Sequence, residues 1–178
     1  MAPSVCDACG SRRVVPRVVE GVEIEQCELC DALVGDDVLV AEVETRLEAR
    51  ERGFDPLVYP LVRALELIPK FRVAAAEPGR PERAEYPFVF LRLEEGSLVH
   101  LERLLTSLEM ANRETRRRWV VECTLQRGLL FVLRPRFWKR VADITAGDIE
   151  EARADLEVLG RTISRDVRLP WWGGAADA

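Results

Sequence analysis

The chain has few of the residues and patterns that usually indicate catalysis, secretion or membrane insertion. Its 178 residues include a single histidine, His100. No apolar run approaches the ~18 residues that a membrane-spanning helix needs, so no membrane association is expected. The N-terminus lacks a basic start followed by an apolar stretch. We therefore expect no signal peptide and a cytoplasmic location.

Motifs of the common enzyme classes are also missing from the sequence. It contains no phosphate-binding loop, no dinucleotide-binding glycine motif and no nucleophile elbow. His100 has no evident cysteine or serine partner, so we interpret it as a surface or helix-start residue. Adjacent carboxylates such as Glu150 and Glu151 point apart on a helix and usually face solvent. We predict a protein that is not an enzyme.

Charge is distributed unevenly along a chain whose 48% hydrophobic content is enough to build a core. The net charge of −5 combines an acidic N-terminal third with a basic central region. Residues 1–53 carry 12 acidic and 6 basic side chains, whereas residues 113–140 carry 2 acidic and 9 basic ones. Each region is therefore a candidate docking surface for a partner of opposite charge.

Four cysteines near the N-terminus form the most specific pattern in the sequence. Cys6 and Cys9 make one Cys-x-x-Cys turn, Cys27 and Cys30 make a second, and 17 residues separate the two. In a reducing compartment such pairs favour metal binding over disulfides. The spacing matches that of paired zinc knuckles, and four thiolates suit tetrahedral zinc. We predict one structural Zn²⁺ ion on these residues.

Three other uses of the two cysteine pairs are less well supported by the sequence. A redox dithiol normally opens a helix in a thioredoxin-like unit, which neither pair does. Catalytic zinc needs an open coordination position and usually histidine or carboxylate ligands, and His100 lies far along the chain. An iron–sulfur cluster has nothing specific in its favour. Cys123, the fifth cysteine, is predicted to be a small buried hydrophobic residue.

The N-terminal segment resembles the zinc-ribbon superfamily through its two cysteine turns. Between them, residues 14–19 and 22–25 read as short strands around Glu20 and Gly21. The resemblance implies a zinc ribbon over residues 1–35. It does not imply one function, because ribbons occur in transcription, translation, toxin–antitoxin and scaffold proteins.

The remaining sequence predicts an α+β fold. Residues 36–86 read as a helical linker with helices at 36–52 and 60–67, a strand at 70–76 and a loop at 77–85. Residues 87–172 have the order βαββαβ, which is typical of a ferredoxin-like sandwich, and 173–178 form a tail. The strands are predicted at 88–93, 119–126, 129–134 and 167–171, and the helices begin after caps at Ser97 and Thr145.

Basic and aromatic residues suggest a second binding surface in this region. A hairpin of the two middle strands would bring two arginine clusters to the same end of the sheet. Guanidinium groups pair with phosphates, so these residues are candidates for binding nucleic acid or a protein partner. The candidates are Arg116, Arg117, Arg118, Arg134, Arg136 and Arg140. Trp172, near the C-terminus, is a further candidate for partner contact.

The segment Arg127-Gly128-Leu129-Leu130-Phe131-Val132 resembles a signature of RNA-recognition domains, and Val89-Phe90-Leu91 resembles its companion. The resemblance implies that Phe90 and Phe131 are stacking rings on an open sheet face. Leu129 and Leu130 depart from that signature. The alternative is that both phenylalanines belong to the core.

These observations bear on four candidate functions. The leading hypothesis is a non-catalytic zinc-binding adaptor or regulatory protein that acts through protein–protein contacts. The acidic ribbon disfavours binding to phosphate groups. Exposed sheet edges favour association with a partner or a second copy of the chain. The alternative is a nucleic-acid or ribosome-associated protein that uses residues 113–140. An antitoxin-like regulator ranks lower because no helix-turn-helix pattern is evident, and an enzyme ranks last.

Overall fold

The computed structural model describes residues 5–94, 98–125, 129–138 and 140–173. It is a mixed α and β structure with two antiparallel sheets. The chain divides into two compact units, Met1–Gly53 and Phe54–Ala178, here called the N-terminal and C-terminal units. The predicted linker segment 36–86 is therefore shared between the two units. Within the described residues, no helix has both the length and the apolar composition needed to cross a membrane.

The N-terminal unit consists of a small sheet followed by one helix. Strands β1 (Val14–Val19), β2 (Val22–Cys27) and β3 (Leu33–Val34) pair in that order. Glu20 and Gly21 connect β1 to β2 with φ angles of 50° and 78°, as a tight hairpin turn requires. Helix α1 (Asp37–Glu51) begins after Asp36, whose carboxylate accepts a hydrogen bond of 2.8 Å from the amide of Val38.

The core of the N-terminal unit is very small. Among its described residues the buried apolar side chains are Cys6, Ile24, Cys27, Val43 and Ala49. Arg50 of α1 forms a 2.6 Å ion pair with Glu20, and Arg46 donates 3.0 Å to the Glu20 carbonyl. A core of this size supplies too little apolar burial to hold the unit, so a further cross-link is needed.

The C-terminal unit has a four-stranded antiparallel sheet in the order β4-β5-β7-β6. Its helices come before, between and after the strands. The elements in chain order are α2 (Tyr59–Glu66), β4 (Phe71–Glu77), β5 (Phe88–Leu93), α3 (Leu98–Ala111), β6 (Arg118–Leu125), β7 (Leu129–Arg136), α4 (Ala146–Val167) and α5 (Pro170–Gly173).

The two faces of this sheet differ in burial. Val89, Leu91 and Leu133 are fully buried on one face, where Trp119 also lies and donates its indole hydrogen bond to Asp155 of α4 at 3.2 Å. The opposite face carries the half-buried Phe88, Phe90 and Val132 together with Arg134 and Glu122. We call these the helix-covered face and the open face.

Helices α2 and α4 pack closely together inside this unit. Tyr59, Leu61 and Leu65 of α2 are fully buried. A Cβ atom at Gly160 of α4 would lie 3.1 Å from the Leu61 nitrogen and the Pro60 carbonyl carbon. A Cβ contact of this length is tighter than most, so glycine at this position lets the two helix backbones approach without displacing their neighbours.

The predicted last strand, 167–171, is wrong. Helix α4 continues to Val167 and α5 begins at Pro170, which is favourable in the first turn of a helix. The sheet edge beside β5 is instead occupied by β4, which is joined to β5 by residues 78–87 and pairs with it antiparallel. The described elements therefore do not follow the order βαββαβ.

Several local predictions agree with the structure. Thr145 caps α4 in a capping box with Asp148, and the predicted apolar face of that helix is buried. The loop at 77–85 is part of the β4–β5 hairpin, closed by hydrogen bonds between Arg80 and Glu85 of 2.7 and 3.1 Å. The predicted cap Ser97, the turn 126–128 and most of the tail lie outside the described residues.

Candidate functional sites

The four N-terminal cysteines converge on one point. Their sulfur atoms all lie within 4.8 Å of one another. The Sγ atoms of Cys6 and Cys30 are 3.6 Å apart, as are those of Cys9 and Cys27. Sulfurs 2.3 Å from a tetrahedral ion would be separated by ~3.8 Å, whereas a disulfide is ~2.05 Å long. The cluster therefore fits a metal ion and not a pair of disulfides.

Two backbone turns of matching design hold the sulfurs. The amide of Gly10 donates 2.7 Å to the carbonyl of Cys6, and the amide of Asp31 donates 3.0 Å to the carbonyl of Cys27. The amides of Cys6 and Cys27 in turn donate to carbonyls five residues later, both at 2.9 Å. Each turn thus presents its two cysteines to the same side.

The thiols are electrostatically coupled. A hydrogen bond from the Leu29 amide, 3.4 Å from the sulfur, lowers the pKa of Cys27 to about 6. At Cys30 a backbone hydrogen bond from Ala32 lowers the pKa, but the neighbouring sulfurs of Cys9 and Cys6 outweigh it and raise the pKa to about 12. Four thiolates in so small a volume repel one another, and a bound cation removes that repulsion.

The two arginine clusters lie at the same end of the C-terminal sheet, as predicted. Arg118 pairs directly with Arg136 across β6 and β7, and Val120 pairs with Arg134. Acidic neighbours compensate much of this charge. Arg118 forms a 2.9 Å ion pair with Glu109, and Arg134 forms one of 2.6 Å with Glu122. Arg136 lies over the ring of the exposed Trp138, 4.3 Å from its centroid.

Arg117 has a structural position. It pairs with Asp148 at 2.6 Å and also with Glu151, both on α4. The side chain therefore joins the start of β6 to the first turns of α4. Its charge is not available to a phosphate, so the prediction that Arg117 binds a ligand has no support from its contacts. Arg140 is exposed at the start of the segment that leads to α4.

A buried carboxylate that the sequence analysis missed fixes the neighbouring loop. Asp155, 2% exposed, accepts hydrogen bonds from the amides of Arg116 and Arg117 at 2.8 and 2.9 Å, besides the one from Trp119. Asp148 and Asp155 are seven residues apart, on the same side of α4 as its apolar stripe. That spacing is the signal that could have revealed a buried role.

Phe90 and Phe131 lie on opposite faces of the sheet, so the prediction of two stacking rings on one face is wrong. Phe90 is opposite Val132, and Phe131 is opposite Leu91. Directly paired residues share a face and successive residues alternate. Phe131 is therefore core, with 8% exposure, whereas Phe90 lies on the open face, with its ring centroid 4.9 Å from that of Phe88.

Trp172 and Cys123 also differ from their predicted environments. Trp172 is 4% exposed, its ring stacks on His100 at 6.4 Å, and its carbonyl accepts a hydrogen bond from Arg103. It packs within the C-terminal unit instead of projecting towards a partner. Cys123, predicted to be buried, is exposed on the edge strand β6, although it shares a face with the buried Trp119.

The open face contains a concave region of about 500 Å³, which we call the sheet depression. Its floor is apolar and aromatic, and its rim carries both signs of charge. The Arg134 guanidinium donates to the Tyr86 hydroxyl at 2.9 Å as well as pairing with Glu122. The depression is lined by Ala84, Glu85, Tyr86, Phe88, Phe90, Glu122, Thr124, Val132 and Arg134.

A second concave region, of about 320 Å³, lies between the end of α3 and the start of β6. Four of its seven lining residues are arginines, so we call it the arginine depression. Its lining residues are Glu109, Asn112, Arg113, Thr115, Arg116, Arg117 and Arg118.

The comparisons with known proteins give no independent assignment. No protein-family model matches the chain, and neither the curated proteins nor the solved structures contain a significant match.

Proposed function

We propose that the N-terminal unit is a zinc ribbon that holds one structural Zn²⁺ ion on Cys6, Cys9, Cys27 and Cys30. The supporting observation is the convergence of four sulfurs at separations close to those of a tetrahedral thiolate site. All four tetrahedral positions would be taken by protein ligands, which leaves none for substrate. When bound, the ion cross-links both cysteine turns and supplies the stability that the small core lacks.

Iron is the main competitor, because tetrahedral sulfur sites accept both metals. Expression in zinc-supplemented and iron-supplemented medium, followed by metal analysis of the purified chain, distinguishes them. We expect one zinc per chain and a colourless protein. A protein with strong visible absorption and stoichiometric iron would overturn the zinc assignment but not the four ligands.

We further propose that the protein is a non-catalytic adaptor whose C-terminal unit binds a protein partner on the open face. The single observation that carries this proposal is the sheet depression, where Phe88, Phe90 and Val132 form an apolar floor of a size that accepts large side chains. Half-buried aromatic residues in a concave site are typical of interface anchors.

The charges around the sheet depression favour protein over nucleic acid. Glu122 already neutralises Arg134, and Glu85 adds another carboxylate to the lining. Glu85 is itself paired with Arg80 at 3.9 Å, so a phosphate backbone crossing this rim would find no unpaired cation among the described lining residues. A protein segment that inserts an apolar side chain into the floor is the better match.

The test is capture of a partner from native lysate with the full chain, before and after nuclease treatment, followed by binding to the purified partner. Phe90→Glu is the disruptive variant, and Leu105→Glu on α3 is the matched control because Leu105 is 42% exposed and outside the sheet depression. We expect nuclease-resistant binding that Phe90→Glu abolishes and Leu105→Glu preserves.

Three results would contradict the adaptor proposal. Recovery that depends on intact nucleic acid would favour the nucleic-acid alternative, as would binding that weakens steeply with added salt. Equal binding by wild type and Phe90→Glu would exclude the sheet depression as the docking surface.

A further inference from the structure

The arginine depression contains positive charge that the described part of the chain does not compensate. Arg117 is paired with Asp148 and Glu151, and Arg118 is paired with Glu109. Arg113 and Arg116 are exposed and form no ion pair with any described residue. Two guanidinium groups therefore line one concave site without a counter-ion.

The backbone that carries these arginines is held in place from several sides. Asp155 accepts the amides of Arg116 and Arg117. The Asn112 side chain both accepts from the Trp119 amide at 2.7 Å and donates to its carbonyl at 3.0 Å. The Thr115 hydroxyl donates to the Arg117 carbonyl at 2.8 Å. The site is thus preorganised, which reduces the entropy lost when a ligand binds.

The arginines are not explained by the need to neutralise the partial negative charge at the C-terminus of α3. Basic residues often follow a helix because its last carbonyls carry partial negative charge. Here three carbonyls of the last turn already accept backbone amides. Leu108 accepts from Asn112 at 2.8 Å, Met110 from Arg113 at 3.1 Å, and Ala111 from Glu114 and Thr115 at 2.9 and 3.0 Å.

We propose that the arginine depression binds a phosphate monoester through Arg113 and Arg116. The planar guanidinium group matches phosphate oxygens in a bidentate manner. A monoester carries a charge of about −1.5 to −2 at neutral pH, which balances two arginines, whereas a carboxylate or one phosphodiester carries a single charge. The site is a compact cavity and not an extended track, so it suits one dianionic group better than a nucleic-acid backbone.

This site is separate from the sheet depression, because the two share no lining residue. The ligand could be a free phosphate ester or a phosphorylated side chain of a protein, and both present the same chemistry. Because the two depressions share no lining residue, a failure to bind phosphate at the arginine depression would leave the adaptor proposal unaffected.

The experiment is NMR titration of the zinc-loaded full chain with O-phosphoserine, inorganic phosphate and a phosphorylated peptide. Serine and the unphosphorylated form of the peptide are the negative controls. We expect saturable shifts in the amides of residues 112–118 with the phosphorylated compounds only. The double variant Arg113→Gln/Arg116→Gln should weaken binding by at least about tenfold, since each charged hydrogen bond contributes substantially. If the phosphopeptide binds more tightly than phosphoserine, the ligand is a phosphorylated protein side chain. If the two bind equally, the ligand is a free phosphate ester.

The matched control is Arg92→Gln/Arg168→Gln, which removes the same charge from exposed positions outside the site. It should change the affinity by less than about twofold, because screened distant charges contribute little. Equal loss in both double variants, or no saturable phosphate binding, would overturn the proposal. Tighter, Arg113-dependent binding of a single-stranded oligonucleotide would overturn the monoester assignment in favour of nucleic acid.

Discussion

Gly10 and Asp31 occupy the same position in the two cysteine turns, four residues after the first cysteine of each pair. Their φ angles are 71° and 59°, both in the left-handed region. Glycine adopts this conformation without strain, whereas a residue with a Cβ is disfavoured there and aspartate is among the better tolerated. The two turns are therefore alike in geometry and different in strain.

Gly10→Ala should weaken metal binding by about 1 kcal/mol, or roughly fivefold, because the substitution adds left-handed strain. A Cβ at this position would contact no other atom within 4 Å, so steric clash does not contribute. Competition with a chromophoric chelator measures the affinity. An unchanged affinity would show that the turn can relax.

Asp31→Gly should have the opposite effect and strengthen metal binding by up to about fivefold, since it relieves the same strain. Because this substitution also removes a negative charge, Asp31→Asn is the control that removes the charge but keeps the Cβ. If both variants bind metal equally, charge and not backbone strain explains the change.

Chelation of the metal should unfold the N-terminal unit and leave the C-terminal unit folded. Among the described residues of the N-terminal unit, two of the five buried apolar side chains belong to proposed ligands, so little core remains without the ion. All four tryptophans lie beyond residue 53 and report on the C-terminal unit alone. We expect loss of hydrogen-exchange protection across residues 14–51 with unchanged tryptophan emission. Protection that survives a strong chelator would contradict the zinc-ribbon proposal.

Asp155→Ala should destabilise the C-terminal unit by about 3 kcal/mol or more, because it leaves three donors without their carboxylate acceptor. Urea unfolding followed by tryptophan emission measures the change. Glu157→Ala, on the same helix with its side chain 83% exposed, is the control and should stay within about 0.5 kcal/mol of wild type. Equal stability of both variants would show that the network contributes little.

The C-terminal unit should lose stability as the pH falls below about 6.5, the ordinary pKa of histidine. Burial of His100, followed by the positive charges of Arg103 and Lys70, lowers its pKa in the folded state. The unfolded chain therefore takes up a proton at a higher pH than the folded chain, and stability falls between the unfolded and folded pKa values.

This pH effect can be isolated because His100 is the only histidine. Thermal unfolding at pH 7.5, 6.5 and 5.5, followed by tryptophan emission, should show a smaller loss in His100→Phe, which retains an aromatic ring against Trp172. The same pH dependence in both proteins would assign the effect to other groups.

Local patterns in the sequence were enough to locate most helices and strands, since they depend on residues near in the chain. The capping box at Thr145 and the cysteine spacing are examples. The position of Phe131 was not predictable in this way. It depends on the pairing register between β5 and β7, and a shift of one residue would exchange the two faces.

The last strand and Asp155 were missed for a related reason. Segment 167–171 resembles a strand by composition, but the edge that it would occupy is already taken by β4. Asp155 was not identified from the sequence because its partners, Trp119 and the amides of Arg116 and Arg117, are distant along the chain. Tertiary contacts decided both cases, and local propensity did not.

The composition of the C-terminal sheet has a consequence for the order of folding. The four strands of this sheet come from residues 71–136, so a chain fragment that ends before α4 contains the whole ladder. The carboxylate of Asp155, which fixes the arginine-bearing loop, lies on α4 and is absent from such a fragment. Chain fragments that stop before residue 146 are thus expected to form the sheet but to leave the loop at residues 112–118 less ordered than in the full chain.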